Sequence, residues 1–299
     1  MHVDKNTLNS ALIFTDEPDK QGGWHGAQLA AAFTARGVKA DFVSLQDCVI
    51  DLSAEKPNIK IPHFEELPKA VFVRGIAGGT LQQITQRLNI LHGLKMLGVS
   101  VYNDGKAIER TVDKAMTSFL LLQNGVNTPK TWVCESRHHA HDIVANNPQL
   151  VIKPLFGSQG QGVRLVDANK PPLPMDRFVD GVFYLQSFIQ ASSDYRVFIV
   201  NNKAVAAMQR TGETWLHNVA QGARCENILD KSAETDVLTI ALQAALVLDI
   251  AYCGVDVIKD KNGQLFVLEV NSIPAWRGLQ SVSDVNIAQV LVDDFLNKV

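Results

Sequence analysis

Short apolar runs alternate along the chain with segments whose apolar residues recur every three or four positions. The first run, Ala11-Leu12-Ile13-Phe14, predicts a strand. A loop with Pro18 and Gly22-Gly23 follows, then a helix over about 25–36 that Gly37 stops. Residues 40–45 predict a second strand, and 46–68, with Pro57, Pro62 and Pro68, an irregular stretch. Ala70-Val71-Phe72-Val73 is a third strand, ending at Arg74-Gly75. Leu81, Ile84, Leu88 and Leu91 mark a helix over about 80–97, and 99–102 a fourth strand. Strands alternating with helices predict a small open α/β domain with a parallel sheet.

Ligands dock in the loops after such strands. Residues 22–26 and 74–79 are the two candidates; either they hold substrate or their glycines only shape turns. His25 is expected to be structural or at the surface. Past residue 103 the pattern changes. Asp104 is placed to cap a helix running through Lys114 to about Gln123, ended by Gly125 and Pro129. Strands are predicted at 131–133, 150–154, 163–166, 182–185, 194–200 and 204–210, the last two joined by Asn201-Asn202. A helix over about 232–248 leads to strands at 254–258 and 266–271. His138, His139 and His141 read as a solvated helix start, since neighbouring residues cannot share one helix face.

The last two strands carry the chemistry. Glu269 and Asn271 are two apart, so they share a face, and Asp256 can join them across the 259–263 turn. Two carboxylates and an amide suit a hard cation such as Mg²⁺, which keeps waters and takes phosphate oxygens. The alternative is a carboxylate at a strand edge paired with Arg or Lys. Upstream, Lys153 ends an apolar strand, where an amine is costly to bury unless something anionic meets it. Gly157, Gly160 and Gly162 follow it, between two strands. That context fits neither a Walker loop nor a dinucleotide fingerprint, both of which open a helix. It fits a flap over phosphates, as in kinases.

Composition narrows the setting. Of 299 residues, 46% are hydrophobic and 20% charged, and the net charge is −3, so bulk attraction to nucleic acid or anionic membrane is not indicated. The four cysteines form no CxxC pair and read as free thiols. No apolar run reaches membrane-spanning length and the N-terminus lacks a signal-peptide pattern, so a cytoplasmic protein is expected.

Asp113-Lys114, Val151-Ile152-Lys153-Pro154, the glycines of 157–162, Gln186 to Ile189, Asp194-Tyr195-Arg196, Arg210, Asn218, Gly254-Val255-Asp256 and Leu268-Glu269-Val270-Asn271 stand in an order that resembles the ATP-grasp superfamily, most closely its RimK-like amino-acid ligases. The resemblance covers roughly residues 100–299. It implies an α/β chain in three parts: an N-terminal open parallel domain (1–105), a central ATP-grasp lobe with the glycine flap (106–185) and a C-terminal lobe with the metal site (186–299), the two lobes clasping the nucleotide. It implies that Lys114 and Lys153 contact the α- and β-phosphates, and that Gly157, Ser158, Gly160 and Gly162 close over the triphosphate. Gln186, Ser187 and Ile189 would frame adenine, and Asp194 the ribose. Asp256, Glu269 and Asn271 would hold two Mg²⁺, with Mn²⁺ an alternative. Arg210 and Asn218 would steady the transferring phosphoryl. Relatives of this kind are often dimers or tetramers, so a homo-oligomer is expected.

The implied activity is ATP-dependent joining of a small-molecule carboxylate to an amino acid such as glutamate. Two loops depart from the RimK-like pattern: 219–224, and Ser272-Ile273-Pro274-Ala275-Trp276-Arg277-Gly278-Leu279-Gln280 after the Glu-Val-Asn. A protein-tail substrate is therefore not expected. Trp276 either stacks on a planar acceptor or packs under the sheet, and Arg277 either binds a carboxylate or forms a structural ion pair. Arg74 and Arg196 are further candidates for substrate contact. Stacking would suit relatives that act on pterin or deazaflavin coenzymes, including methanopterin-type coenzyme synthesis. The competing classes are a kinase with the same ATP site and a hydroxyl acceptor, and a nucleotide-binding regulatory module. Keeping buried like charges together argues against the latter.

Overall fold

The computed structural model describes residues 9–157, 162–167, 181–191, 193–212 and 224–299. The chain forms two compact units, one of Met1–Glu109, Ile250–Tyr252 and Ser272–Val299, the other of Arg110–Asp249 and Cys253–Asn271.

The first unit opens with β1 (Ser10–Phe14), α1 (Gly23–Thr34), β2 (Lys39–Val43), β3 (Val49–Asp51), β4 (Asn58–Lys60), β5 (Ala70–Val73), α2 (Leu81–Met96) and β6 (Ser100–Tyr102). Four strands make a parallel sheet in the order β2-β1-β5-β6, as the alternation predicts. The chain winds from β1 outward to β2 and then crosses to the other side of β1 to lay down β5. The winding direction therefore reverses between β1 and β5. Leu12, Phe14, Val71 and Val73 are buried with Ile90, Leu91 and Leu94 of α2. Thr80 and Gln83 cap α2 reciprocally. The stretch expected to be irregular contains the hairpin β3–β4. Its strands are only three residues long, too short for periodicity to register, and Pro57 and Pro62 stand just outside the paired residues.

Helix α3 (Gly105–Val112) leads to α4 (Lys114–Gln123) in the second unit. One helix was expected here. Asp113 divides it: its backbone is extended and its carboxylate accepts from the N–H groups of Ala115 and Met116, capping α4. Then come β7 (Thr131–Cys134), α5 (Arg137–Ala145), β8 (Gln149–Lys153), β9 (Arg164–Asp167) and β10 (Phe183–Ser187). They form an antiparallel sheet, β7-β10-β8-β9, over a core of Ala140, Leu150, Ile152, Phe183 and Leu185. His138, His139 and His141 are exposed on α5.

A second sheet follows from β11 (Ser193–Val200), β12 (Lys203–Thr211), β13 (Arg224–Asn227), β14 (Tyr252–Lys259) and β15 (Leu265–Asn271), in the order β13-β12-β11-β14-β15. Asn201 and Asn202, both at positive φ, make the tight turn between β11 and β12. Helix α6 (Thr235–Leu248) buries Val237, Ala241, Ala244 and Leu248 against this sheet. Asn127 and Thr128 tie the segment before β7 to β15, donating to the carbonyls of Leu265 and Val267 at 2.6 and 3.0 Å.

After β15 the chain returns to the first unit as α7 (Arg277–Gln280) and α8 (Ile287–Asn297). Helix α8 packs on α1, with Phe295 against Phe33. Asn103, fully buried, fastens the return. Its amide donates to the carbonyls of Tyr252 and Ser272, each at 2.7 Å, and accepts from the N–H groups of Ala251 and Tyr252. Among the described residues no helix is long and apolar enough to cross a membrane.

Candidate active site

The acidic hairpin sets the register of the site. Asp256 on β14 stands opposite Glu269 on β15, and Gly254 opposite Asn271. A bulge leaves Leu268 unpaired, since the next pair is Val257 with Val267. Asn271 Nδ2 donates to Glu269 Oε1 at 3.0 Å. Asp256 is 5% exposed and held by two guanidiniums. Arg196 grips both its oxygens, at 2.5 and 2.7 Å, and Arg210 reaches Oδ1 at 2.9 Å. Arg210 Nε also donates to Asp194 Oδ1 at 2.6 Å, its cross-strand partner. Thus Asp256 has the arginine pairing that the sequence left as an alternative, but in the interior rather than at an edge.

Charge is unequally shared in this network. Burial would raise the Asp256 pKa, but Arg196 and Arg210 outweigh it and hold the carboxyl well below the usual range. At Asp194 burial wins over Arg210, which is divided between two acids, and over the charge of Arg196, and pushes the carboxyl up to about 6. Arg210 is buried too, but the two aspartates raise it above its ordinary value.

No group of three or more His, Cys, Asp or Glu side chains is assembled among the described residues. Two carboxylates and an amide oxygen do not suit zinc. They suit a cation that completes its shell with water and phosphate. The donor set fits Mg²⁺.

Lys153 and Lys114 belong to the same unit. Lys153 Nζ donates to Gln186 Oε1 at 2.7 Å. Gln186 is oriented in turn by Thr131 Oγ1 and Tyr184 Oη, at 3.2 and 3.1 Å, and Tyr184 by Ser118. Lys114 Nζ donates to the carbonyls of Leu155 and Gly157, at 3.3 and 2.8 Å. Neither lysine has a carboxylate in ion-pair reach among the described residues. Burial draws both ammoniums below their ordinary pKa, with Glu269 the largest opposing charge in each case. Gly157 and Gly162 take positive φ. A β-carbon at Gly162 would stand 2.8 Å from Pro154 Cγ, so only glycine fits there. Ser158, Gly160 and Asn218 lie outside the described residues.

Strand β10 runs two residues further than predicted, through Gln186 and Ser187. Gln186 is 2% exposed and its side chain orients Lys153. The N–H groups of Ser187 and Phe188 donate to the carbonyls of Lys130 and Gln149. Ile189 lies just past the strand end. Sequence reasoning missed Tyr184 and Ser118; a polar hydroxyl pair at distant positions leaves no local signal.

Arg74, Trp276 and Arg277 lie in the first unit. Trp276 is 1% exposed, its ring covered by Arg74, His25 and Trp24. Trp276 is therefore packed among these side chains. Arg277 is exposed and takes no ion pair among the described residues; its guanidinium lies 5.8 Å from the Trp24 ring centre. His25 holds the Trp276 backbone: Nε2 accepts from its N–H at 3.1 Å.

The antiparallel sheets, the two lysines and the acidic hairpin define an ATP-grasp ligase, and residues 111–295 match the model of the RimK-like ATP-grasp domain. The chain belongs to that family. It is 34% identical over 239 residues to a tetrahydromethanopterin:alpha-L-glutamate ligase of Methanococcus maripaludis, spanning 77% of this chain and 79% of that one. It is 30% identical over 282 residues to a probable alpha-L-glutamate ligase of Vibrio vulnificus, spanning 91% and 90%. The fold resembles that of the ATP-grasp ligase PsnB complexed with a minimal precursor (TM-score 0.74, 19% identity, covering 98% and 99%). It also resembles a RimK domain ATP-grasp protein of Sphaerobacter thermophilus (TM-score 0.70, 19% identity, covering 96% and 99%).

Proposed function

We propose that the protein uses ATP to join an amino acid, glutamate by analogy with its relatives, to a small carboxylate acceptor, a pterin-type coenzyme among the candidates. One observation carries this reading. Lys114 and Lys153, drawn from separate elements, are satisfied only by neutral oxygens. Two part-buried cations that only the more distant charge of Glu269 opposes are costly unless an anion completes them, and a triphosphate supplies one.

The chemistry follows from what a carboxylate lacks, namely a leaving group. Its oxygen attacks the γ-phosphorus of ATP and ADP departs, leaving an acyl phosphate. The amine then attacks the acyl carbon, the C–O bond to phosphate breaks, and the amide, phosphate and a proton are released. The work is positioning and charge neutralisation. Lys114 and Lys153 bind α- and β-phosphates, and Gly157, Ser158, Gly160 and Gly162 cover them. Gln186, Ser187 and Ile189 border adenine, and Asp194 the ribose. Asp256, Glu269 and Asn271 hold Mg²⁺, two ions with Mn²⁺ a substitute, which neutralises phosphate charge. Arg210 and Asn218 face the transferring group. A metal at Asp256 would compete with Arg196 and Arg210 for its oxygens. A homo-oligomer in the cytoplasm completes the proposal.

The test is ADP release from Mg-ATP across amino acids, each offered with candidate acids. ADP that requires one amino acid and one acid together supports the ligase. Release without any amine, giving a phosphorylated product stable to hydroxylamine, replaces it with a kinase.

A further inference from the structure

The sheet of the first unit reverses its winding between β1 and β5. In open parallel sheets the crevice at the carboxyl ends of the two strands flanking such a reversal is where ligands bind. Here those ends are Phe14 and Val73, laced together by Arg74 and Gly75, whose N–H groups donate to the Phe14 carbonyl at 2.8 and 3.0 Å. The residues that follow the two strands are the loop into α1, which brings Trp24 and His25, and Arg74 itself. The returning segment adds Trp276 and Arg277 at the same place.

The chemistry collected there is mainly cationic, with Asp16 an acid whose charge reaches Arg74. Arg74 Nε is buried with no hydrogen-bond partner among the described residues. Its guanidinium rests 5.2 Å from the Trp276 ring centre and pairs with no carboxylate among the described residues. Burial lowers its pKa, and the charges of Tyr252 and Asp16 only partly offset this. His25 is neutral: burial first, then Arg74 and Arg277, bring it down to about 3. Its Nε2 accepts from Trp276, so the ring proton stands on Nδ1, which donates to nothing among the described residues. Among the described residues, the buried Arg74 Nε and the His25 Nδ1–H have no acceptor, and the exposed Arg277 guanidinium stands beside them.

We infer that the crevice at the β1–β5 winding reversal is a carboxylate-binding site formed by Arg74, Arg277 and His25, with Trp276 as the positioning residue beneath Arg74. The inference rests on the ligase reading for the source of its ligand: the carboxylate belongs either to the amino acid or to the acceptor acid. A guanidinium matches a carboxylate in two parallel hydrogen bonds, so the site selects a planar anion.

Calorimetric titration of the intact protein with L-glutamate, and separately with folate as a pterin acid, tests it. R74A and R277A should each weaken one of the two ligands by about tenfold or more. R74K, which keeps the charge and loses the fork, should fall between. The KM for Mg-ATP should stay within about twofold, a split that general misfolding would not give. Loss for L-glutamate assigns the site to the amino acid, and loss for folate to the acceptor. If R74A does not fold, R277A decides, since Arg277 is exposed. Unchanged affinity for both ligands in folded variants, or no binding of either to the unmodified protein, overturns the site. Carboxylate binding without amine-dependent ADP release removes the ligase reading and leaves the site. ADP release indifferent to both arginines does the reverse.

Discussion

Arg196 and Arg210 in the second unit and Arg74 and Arg277 in the first meet their surroundings in opposite ways. The first pair divides two aspartates between them, with four hydrogen bonds of 2.5 to 2.9 Å. The second pair has aromatic neighbours and, among the described residues, no ion pair, although the charge of Asp16 reaches Arg74. A cation already matched by carboxylates shapes a surface before ligand arrives. A desolvated cation matched by nothing is unstable until one does. Lys114 and Lys153 belong with the unmatched group, although they sit in the unit that holds the matched one. On the proposed reading, unmatched charge is one place to look for ligand contact in this molecule.

The largest effect should come from the acid that no arginine holds. Glu269 stands opposite Asp256 and accepts from Asn271 Nδ2. Glu269→Gln keeps the shape and removes the charge that both lysines feel most. Mg-dependent turnover should drop roughly 10²-fold or more. Full activity in steady-state assays would sink the metal assignment.

Next is Lys153→Met. A partly buried ammonium held only by Gln186 should cost the folded state stability that a thioether restores. The variant should melt higher by about 2 °C, while its KM for Mg-ATP rises roughly thirtyfold. A lower melting temperature would mean that Lys153 is satisfied in the protein alone, and the distinction drawn above would fail at its best example.

Asn103→Ala probes the scaffold instead of the charges. Four hydrogen bonds to Ala251, Tyr252 and Ser272 are lost, and fully buried backbone groups are left without partners. Stability should fall by about 3 kcal/mol, read by urea titration. Since Ser272 begins the segment that carries Trp276 and Arg277, affinity for the carboxylate ligand should weaken as well, and Mg-ATP affinity should not.

How much of this was written locally in the chain differs by region. The acidic hairpin was legible because Glu269, Asn271 and Asp256 lie within sixteen positions and the period of a strand fixes their faces. The parallel sheet was legible from alternating runs. The division of a helix at Asp113 was not, because no Gly or Pro marks it; the break comes from a carboxylate capping the helix that follows. Asn103 was invisible because its partners are backbone groups 148 to 169 positions away. His25 read as a lone histidine for the same reason: Trp276, which fixes its tautomer, is 251 positions distant.

The smallest effect sharpens the matched cluster from within. Asp194 shares Arg210 with Asp256, and burial pushes it up to about 6, against an ordinary value of 3.8. An acid whose pKa is raised by folding binds its proton more readily in the folded state. Its stabilising contribution is present in full below the unfolded value and is lost as pH rises through 6. Relative to Asp194→Asn, which cannot titrate, the unmodified protein should therefore gain melting temperature on going from pH 7 to pH 5, on the order of a few degrees. The same protonation removes the anion that Arg210 Nε grips, so Mg-ATP affinity should fall over that interval in the unmodified protein and stay flat in the variant. If both proteins show one pH dependence, Asp194 is as well compensated as Asp256. The second unit would then hold no half-matched acid, and its contrast with the first would be sharper than drawn.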